Sequence, residues 1–370
     1  MPERFDHVAI IGTGLMGGSL ALALKEHPAV GTVSVYDISP ETRRRAADLE
    51  IAAEVADSGA DAVRGADLVF LATPISRIAE ALGEIGGALS EGTVVSDLAS
   101  AKREVVALFE ERLPEGVHYV GGHPMTGSEQ SGVSFARADL FRDRYYILTP
   151  TPSTDAEAYR RLHALLTEMG ARVISMDPET HDRTVAVVSH VPHLLSLLLM
   201  ENASRQRETM RNVFTVAAGG FRDMTRIAAS NPDIWLDICL ANRGPIIEGL
   251  LDYGVSITEL VGLLEDGDTA RLRMMFERAR EARVELAGKP GVDLAVLFEV
   301  FMPVPDEPGV ISRITTEVGA LGINIEDIAI EHPMEGETGI MTLTILGEEN
   351  AQVAAGRLQS LGYQVGVRGI

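Results

Sequence analysis

Residues 7–11 form a short apolar run, a cluster of glycines follows, and residues 15–25 then repeat apolar positions at helical spacing. Further strand-like runs come at 32–36, 68–72, 93–95, 119–121, 145–148 and 172–175. Polar residues and helical patterns separate most of them. This alternation predicts an α/β domain with a parallel, doubly wound sheet over residues 1–177. From Pro178 the strand signal stops. Segments 185–202, 214–229 and 234–251 are long, apolar and helical in period, which predicts an all-α middle domain over 178–286. Helices this apolar are hard to cover with one chain's own surface, so pairing into a homodimer is expected. Residues 287–291 read as a linker. The tail, 294–370, runs strand (294–302), helix (310–321), strand (323–331), turn, strand (340–346), helix (350–361), strand (363–367). That order, βαββαβ, is the ferredoxin-like pattern.

Charge and composition narrow the function. The net charge of -22 opposes binding to nucleic acid or to an anionic membrane. An anionic substrate must therefore be drawn in by a local basic site. Lys25, Lys102 and Lys289 are the only lysines, so the positive charge is almost all arginine. The single cysteine, Cys239, excludes a disulfide framework and a four-cysteine metal site. The first residues do not read as a signal peptide, and the longest apolar stretch, near 194–200, is too short to span a bilayer. A cytoplasmic protein is expected.

Gly12-Thr13-Gly14-Leu15-Met16-Gly17 follows the first strand and opens the first helix. Gly12 permits the tight turn, Gly14 lets the backbone approach a pyrophosphate, and Gly17 lets helix and strand pack closely. The acid Asp37 ends the second strand, where a carboxylate binds ribose hydroxyls and repels a 2′-phosphate. Strand, glycines, helix and acid together predict a Rossmann site for NAD, with Gly12, Gly14, Leu15, Met16, Gly17 and Asp37 contacting it. Arg43-Arg44-Arg45 could serve a 2′-phosphate, but a solvated helix face explains the run more simply. Thr73 and Pro74, just past a central strand, read equally well as cofactor contacts and as an ordinary loop start.

Five further blocks carry candidate chemistry. They are Ser96-Asp97-Leu98-Ala99-Ser100-Ala101-Lys102, Gly121-Gly122-His123-Pro124 continuing to Glu129, Ser189-His190-Val191-Pro192-His193, Phe221-Arg222-Asp223-Met224-Thr225-Arg226-Ile227-Ala228, and Asn231-Pro232-Asp233-Ile234-Trp235. Each has a plain reading. His123 serves as well as a loop residue before Pro124, and Ser100 as a helix N-cap. Arg226, three residues after Asp223, could form a helical ion pair. His190 and His193 share a helix face, but no glutamate between them and no third ligand is evident, so no metal is expected.

In this order and after this fingerprint, the blocks resemble the prephenate dehydrogenase family, and the tail resembles an ACT domain, a small-molecule regulatory module. The resemblance covers nearly the whole chain. It implies that His123 is catalytic, that Ser100 holds the substrate hydroxyl, and that Arg226 binds a substrate carboxylate; the i, i+3 spacing lets Asp223 orient that guanidinium. It places His190 and His193 at the border of the site and Glu129 at its mouth. Leu98-Ala99 departs from the pattern, since many relatives carry a polar residue and glycine there. The implied reaction is NAD-dependent oxidative decarboxylation of prephenate. The chemistry suits these residue types, because a neutral imidazole can take the hydroxyl proton and a guanidinium fork can grip a carboxylate.

Three rivals stand beside this reading. A β-hydroxyacid dehydrogenase shares the domain order, but that family uses a lysine in its helical part, and here none lies between Lys102 and Lys289. Arogenate dehydrogenase differs in one substrate group and is not separated by sequence. An inactive NAD-binding sensor is disfavoured by intact His123, Ser100 and Arg226. In the tail, Asp306, Gly309 and Val310 at a helix start, with Asn324 and Ile325 before a strand, resemble the ligand-reading corner of ACT domains. L-Tyrosine, the end product, is the expected effector there; a domain that only aids dimerisation is the plainer reading.

Overall fold

The computed structural model describes residues 4–369 apart from 128–129, 208, 211, 288–296, 306 and 332–337. Two compact units divide the chain, Met1–Val261 and Gly262–Ile370.

The first unit begins with β1 (Phe5–Ile11), α1 (Leu15–Lys25), β2 (Val30–Tyr36), α2 (Pro40–Asp48), β3 (Glu54–Val55), α3 (Gly59–Val63), β4 (Leu68–Leu71), α4 (Ile78–Ile85), β5 (Val94–Asp97), α5 (Arg103–Arg112), β6 (His118–Pro124), β7 (Tyr145–Thr149), α6 (Ala156–Glu168) and β8 (Arg172–Ser175). The strands lie in the order β3-β2-β1-β4-β5-β6-β7-β8. Both faces of this sheet are buried, and residue alternation divides the core. Val8, Ile10, Leu68 and Phe70 pack with α1 and α6, through Leu20, Leu24 and Leu162. Ala9, Ile11, Val69 and Leu71 pack on the other face with α3, α4 and α5, through Val63, Ile85 and Phe109.

One feature departs from the all-parallel expectation. β7 runs antiparallel to β6, and β8 is then parallel to β7. A parallel pair needs a crossover helix. Between β6 and β7 the described chain offers only a single 3-10 turn, Val133–Phe135, whereas α6 supplies the crossover to β8.

Helices complete the unit: α7 (Pro178–Val185), α8 (Val191–Gln206), α9 (Gly219–Thr225), α10 (Pro232–Ala241) and α11 (Arg243–Glu265), the last continuing past its boundary. Asp177 caps α7 by accepting from the N–H groups of Glu179 and Thr180, ahead of Pro178. Between α7 and α8 lies a π turn, Ala186–His190, closed by Val191 N–H donating to the Ala186 carbonyl. Pro192 has no N–H and its ring would crowd an α-helical carbonyl, so the wider turn lets the helix pass through it. Helical structure therefore runs unbroken over Pro178–Gln206, by length and composition enough to cross a bilayer, unlike the short stretch read from sequence. It carries Asp182, Arg183, His190 and His193, however. The expected helix over 234–251 is interrupted at Asn242, and that over 214–229 becomes regular only at Gly219.

The second unit contains α12 (Thr269–Ala287), β9 (Leu297–Pro305), α13 (Val310–Gly319), β10 (Ile325–Glu331), β11 (Thr338–Leu346), α14 (Glu348–Ser360) and β12 (Gly366–Gly369). Its antiparallel sheet, β10-β11-β9-β12, has the order of the expected ferredoxin-like pattern. Val300, Met302, Met341 and Leu343 pack under Ile314, Val318, Ala354 and Leu358 of α13 and α14. Most of the expected linker, 288–291, and the first residues of the expected strand, 294–296, lie outside the described residues.

A buried ion pair joins the ends of β5 and β6. Lys102, fully buried, donates from Nζ to Asp97 Oδ2 and to the Gly122 carbonyl (2.7 Å). Asp97 also accepts from Tyr119 Oη (2.7 Å), Ala99 N (2.9 Å) and Gly122 N (3.2 Å). Burial lowers the Lys102 pKa, opposed by the Asp97 charge. Removing one partner leaves the other charge buried alone. Lys102→Met is expected to lower unfolding stability by about 3–5 kcal/mol in a denaturant titration, and the double variant with Asp97→Asn to recover part of it. A single variant as stable as the parent would show that the pair does not hold this corner.

Candidate active site

The cofactor side is built at the carboxyl ends of parallel strands. Gly12 turns out of β1 with φ +95°, and a Cβ there would lie 2.7 Å from the Ala72 carbonyl oxygen. A Cβ on Gly17 would lie 1.9 Å from the Gly12 carbonyl oxygen, so both positions need glycine. At Gly14 a would-be Cβ meets nothing within 4 Å beyond the neighbouring residues among the described residues, and Gly14 caps α1 without a side-chain bond or an acid in the first turn. The helix N-terminus is thus open to an anion. Leu15 and Met16 pack their side chains against the core, leaving their backbone N–H groups for that role.

A groove of about 220 Å³ is lined by Gly12, Gly14, Asp37, Thr73 and Pro74 among others. Asp37 Oδ2 accepts from Thr13 N (2.9 Å) and Thr13 Oγ1 (3.3 Å), and Oδ1 from Ser39 N (2.9 Å). Oδ1 keeps a further lone pair for a ribose hydroxyl. Thr73 Oγ1 is buried without a partner among the described residues, a donor left for a ligand. These features fit a dinucleotide. Arg43 is engaged locally: its guanidinium lies 5.4 Å from the Tyr36 ring centroid and donates to the Asp37 carbonyl (2.7 Å).

The chemical side lies on β6 and the helices after the sheet. His123 and Pro124 end β6, at the same sheet edge as Thr73 after β4 and Asp97 at the end of β5. His123 Nδ1 is 2.8 Å from His181 Nε2, and His181 Nδ1 is 2.8 Å from Asp182 Oδ1. Asp182 also accepts from Lys102 N (2.7 Å) and Arg103 N (3.0 Å), so it caps α5 from α7. Burial pushes its carboxyl up, but the bonds from His181, Arg103 and Lys102 outweigh that and hold it below the usual range. Burial, with the neighbouring His181 and Lys102, pushes His123 well below the ordinary histidine pKa. His123 is therefore neutral at pH 7, and its Nε2 makes no hydrogen bond among the described residues.

His190 is buried and accepts at Nδ1 from Asn242 Nδ2 (3.0 Å), which also donates to the Asp182 carbonyl (2.8 Å). Burial pushes His190 down to about 4. His193 stacks on Trp235 with ring centroids 3.4 Å apart. Ser76 N and Oγ donate to Asp237 Oδ2 (3.0 and 2.6 Å), tying the loop after β4 to α10.

The expected residues are therefore spread over several elements. His123, His190 and His193 are buried together with His181, Asp182 and Asn242, and half-buried Trp235 lies against His190 and His193. Ser100 is half-buried, three residues past β5, and makes no hydrogen bond among the described residues; it does not cap α5, whose N-cap is Lys102. Asp223 and Arg226 lie exposed on α9 and the 3-10 turn after it, which pack against α8, the helix of His193. Glu129 lies outside the described residues, as does Asp306 in the tail. Sequence reasoning passed over His181, Asp182, Asn242 and Asp237. Their one signal is a His-Asp pair just inside a helix start.

Comparison with known proteins accounts for this arrangement. Residues 20–175 match the prephenate dehydrogenase nucleotide-binding domain, 177–278 the prephenate dehydrogenase dimerization domain, and 299–362 the ACT domain. The chain is 34% identical to prephenate dehydrogenase of Bacillus subtilis over 96% of each chain. It superposes with a TM-score of 0.72 on prephenate dehydrogenase of Aquifex aeolicus in complex with hydroxyphenyl propionate and NAD+, at 32% identity, covering 76% of this chain and 98% of that one. Synechocystis arogenate dehydrogenase follows at a TM-score of 0.67 and 26% identity, covering 75% and 99%. With a Rossmann groove, a buried neutral histidine at the same sheet edge and matches to all three domains, the chain belongs to the prephenate dehydrogenase family.

Proposed function

We propose that the chain oxidises and decarboxylates prephenate with NAD+, giving 4-hydroxyphenylpyruvate. The observation that carries this reading is His123, neutral and with a bare Nε2, at the sheet edge that also forms the dinucleotide groove. Asp37 faces the ribose and would repel a 2′-phosphate, which favours NAD+ over NADP+. The bound dinucleotide supplies the hydride acceptor. His123 Nε2 takes the proton of the ring hydroxyl as the carbinol C–H bond breaks, and the ring carboxylate leaves as CO2. The Ser100 hydroxyl holds the ring hydroxyl. Arg226, with Asp223 beside it, grips a substrate carboxylate through its fork of donors. His190 and His193 wall the site; Glu129, expected at its mouth from the family resemblance, lies outside the described residues.

Apolar residues stand exposed along α10 and α11, among them Leu236, Leu240, Leu251 and Val255. An exposed apolar face of this extent, in a region matching a dimerization domain, supports a homodimer. The family match and the fold are those of a biosynthetic enzyme, and we assign it to the cytoplasm.

The direct test is NADH formation with prephenate and with arogenate in parallel. The reading expects prephenate-dependent NADH with one CO2 released per NADH. Turnover of arogenate alone moves the activity to the amino analogue, the substrate of the Synechocystis relative. No NADH with either substrate overturns the reading.

His123→Asn is expected to lower kcat by ~10²–10⁴-fold with NAD+ binding little changed. The active imidazole is neutral, so kcat falls as pH drops through its pKa. Burial places that fall below the ordinary histidine value of 6.5, with a plateau above it. A variant with normal turnover removes His123 from the mechanism.

The ACT domain is assigned to an amino-acid effector, L-tyrosine. Gly309 caps α13 with φ +94° and no side-chain bond, which leaves the helix start at Val310 open to an α-carboxylate. Asn324, ahead of Ile325 and β10, is exposed and donates to Glu326 Oε1 (2.8 Å); Asp306, expected at this corner from the sequence, lies outside the described residues. Asn324→Ala is expected to raise the tyrosine concentration for half-inhibition about tenfold, with turnover in its absence unchanged. Unaltered inhibition would place tyrosine elsewhere.

A further inference from the structure

We infer that His181 and Asp182 are positioning residues that fix the tautomer of His123. This rests on the reading of His123 as the group that takes the substrate proton. The argument starts from the far end. Asp182 sits at the N-terminus of α5, where two backbone N–H groups and the helix dipole favour its ionised form. An ionised carboxylate only accepts, so the bond at 2.8 Å obliges His181 to carry its proton on Nδ1. Neutral His181 then presents a bare Nε2. The 2.8 Å contact to His123 Nδ1 can be a hydrogen bond only if His123 donates. His123 thus holds its proton on Nδ1 and leaves Nε2 as the acceptor.

Two consequences follow for the reaction. The substrate O–H bond breaks and an N–H bond forms at His123 Nε2, with no other proton required to move. The positive charge that this places on a buried ring is met by the His181 acceptor, itself polarised by the Asp182 carboxylate. A ring in the other tautomer would present an N–H to the substrate hydroxyl and could not take its proton.

The test uses His181→Gln and His181→Leu in the full-length enzyme, with His123→Asn as reference. A glutamine can accept from His123 and donate to Asp182, whereas leucine can do neither. His181→Leu is expected to lower kcat by ~10²-fold or more with KM changed only a few-fold, and His181→Gln to recover at least ~10-fold of that loss. Asp182→Asn is expected to act like His181→Leu, because its amide can donate to His181 and reverse both tautomers. Cooperative thermal unfolding and retained NAD+ binding report that each variant is folded. Equal kcat for the Gln and Leu variants, both folded, overturns the inference. If His123→Asn is inactive and His181→Leu runs normally, the pair has no positioning role while the base assignment stands. Normal turnover by His123→Asn overturns both.

Discussion

A carboxylate stays ionised away from water only where donors surround it, and Asp182 is such a case. Two backbone N–H groups at the start of α5 and one imidazole N–H converge on it, while Asn242 holds its own carbonyl. This one side chain joins the α/β sheet to the helical region. It replaces the missing side-chain cap of α5, orders His181, and through His181 orders His123. The Asp97–Lys102 pair, five residues apart, fixes the neighbouring corner from within the sheet. Both carboxylates act on the same short stretch of chain, the turn between β5 and α5, which also carries Ser100.

The two halves of the site obey opposite electrostatic demands. The dinucleotide side offers open backbone N–H groups at α1 and a carboxylate at Asp37. The histidine side is largely buried, which disfavours charged imidazoles. Burial lowers His123, His181, His190 and His193 alike. Against a net charge of -22, the guanidinium of Arg226 is the attraction we propose for an anionic substrate.

Much of this was legible in the sequence. The glycine fingerprint and Asp37 depend on local geometry, which residue spacing records faithfully. The βαββαβ order of the tail was readable for the same reason, with strand and helix periods alternating cleanly. The antiparallel β7 was not, because the pattern of a strand carries no direction. The helix passing through Pro192 was readable from its period over 185–202, but the π turn that reconciles it with a proline was not. His181, Asp182 and Asn242 escaped because their meaning is tertiary: each acts on a residue far away in the chain. Ser100 was expected as a cap by its place before a helix, its substrate role coming from the family resemblance alone, and the cap turned out to come from α7.

The central claim is that this buried network holds His123 neutral with a bare Nε2. Nitrogen-15 NMR of the histidine-labelled full-length protein reads it directly, because the two ring nitrogens of each tautomer differ in shift and coupling. The account predicts that at pH 7 His123 carries its single proton on Nδ1, and still does so below the ordinary histidine pKa of 6.5. A His123 protonated on Nε2, or on both nitrogens at pH 7, would contradict it.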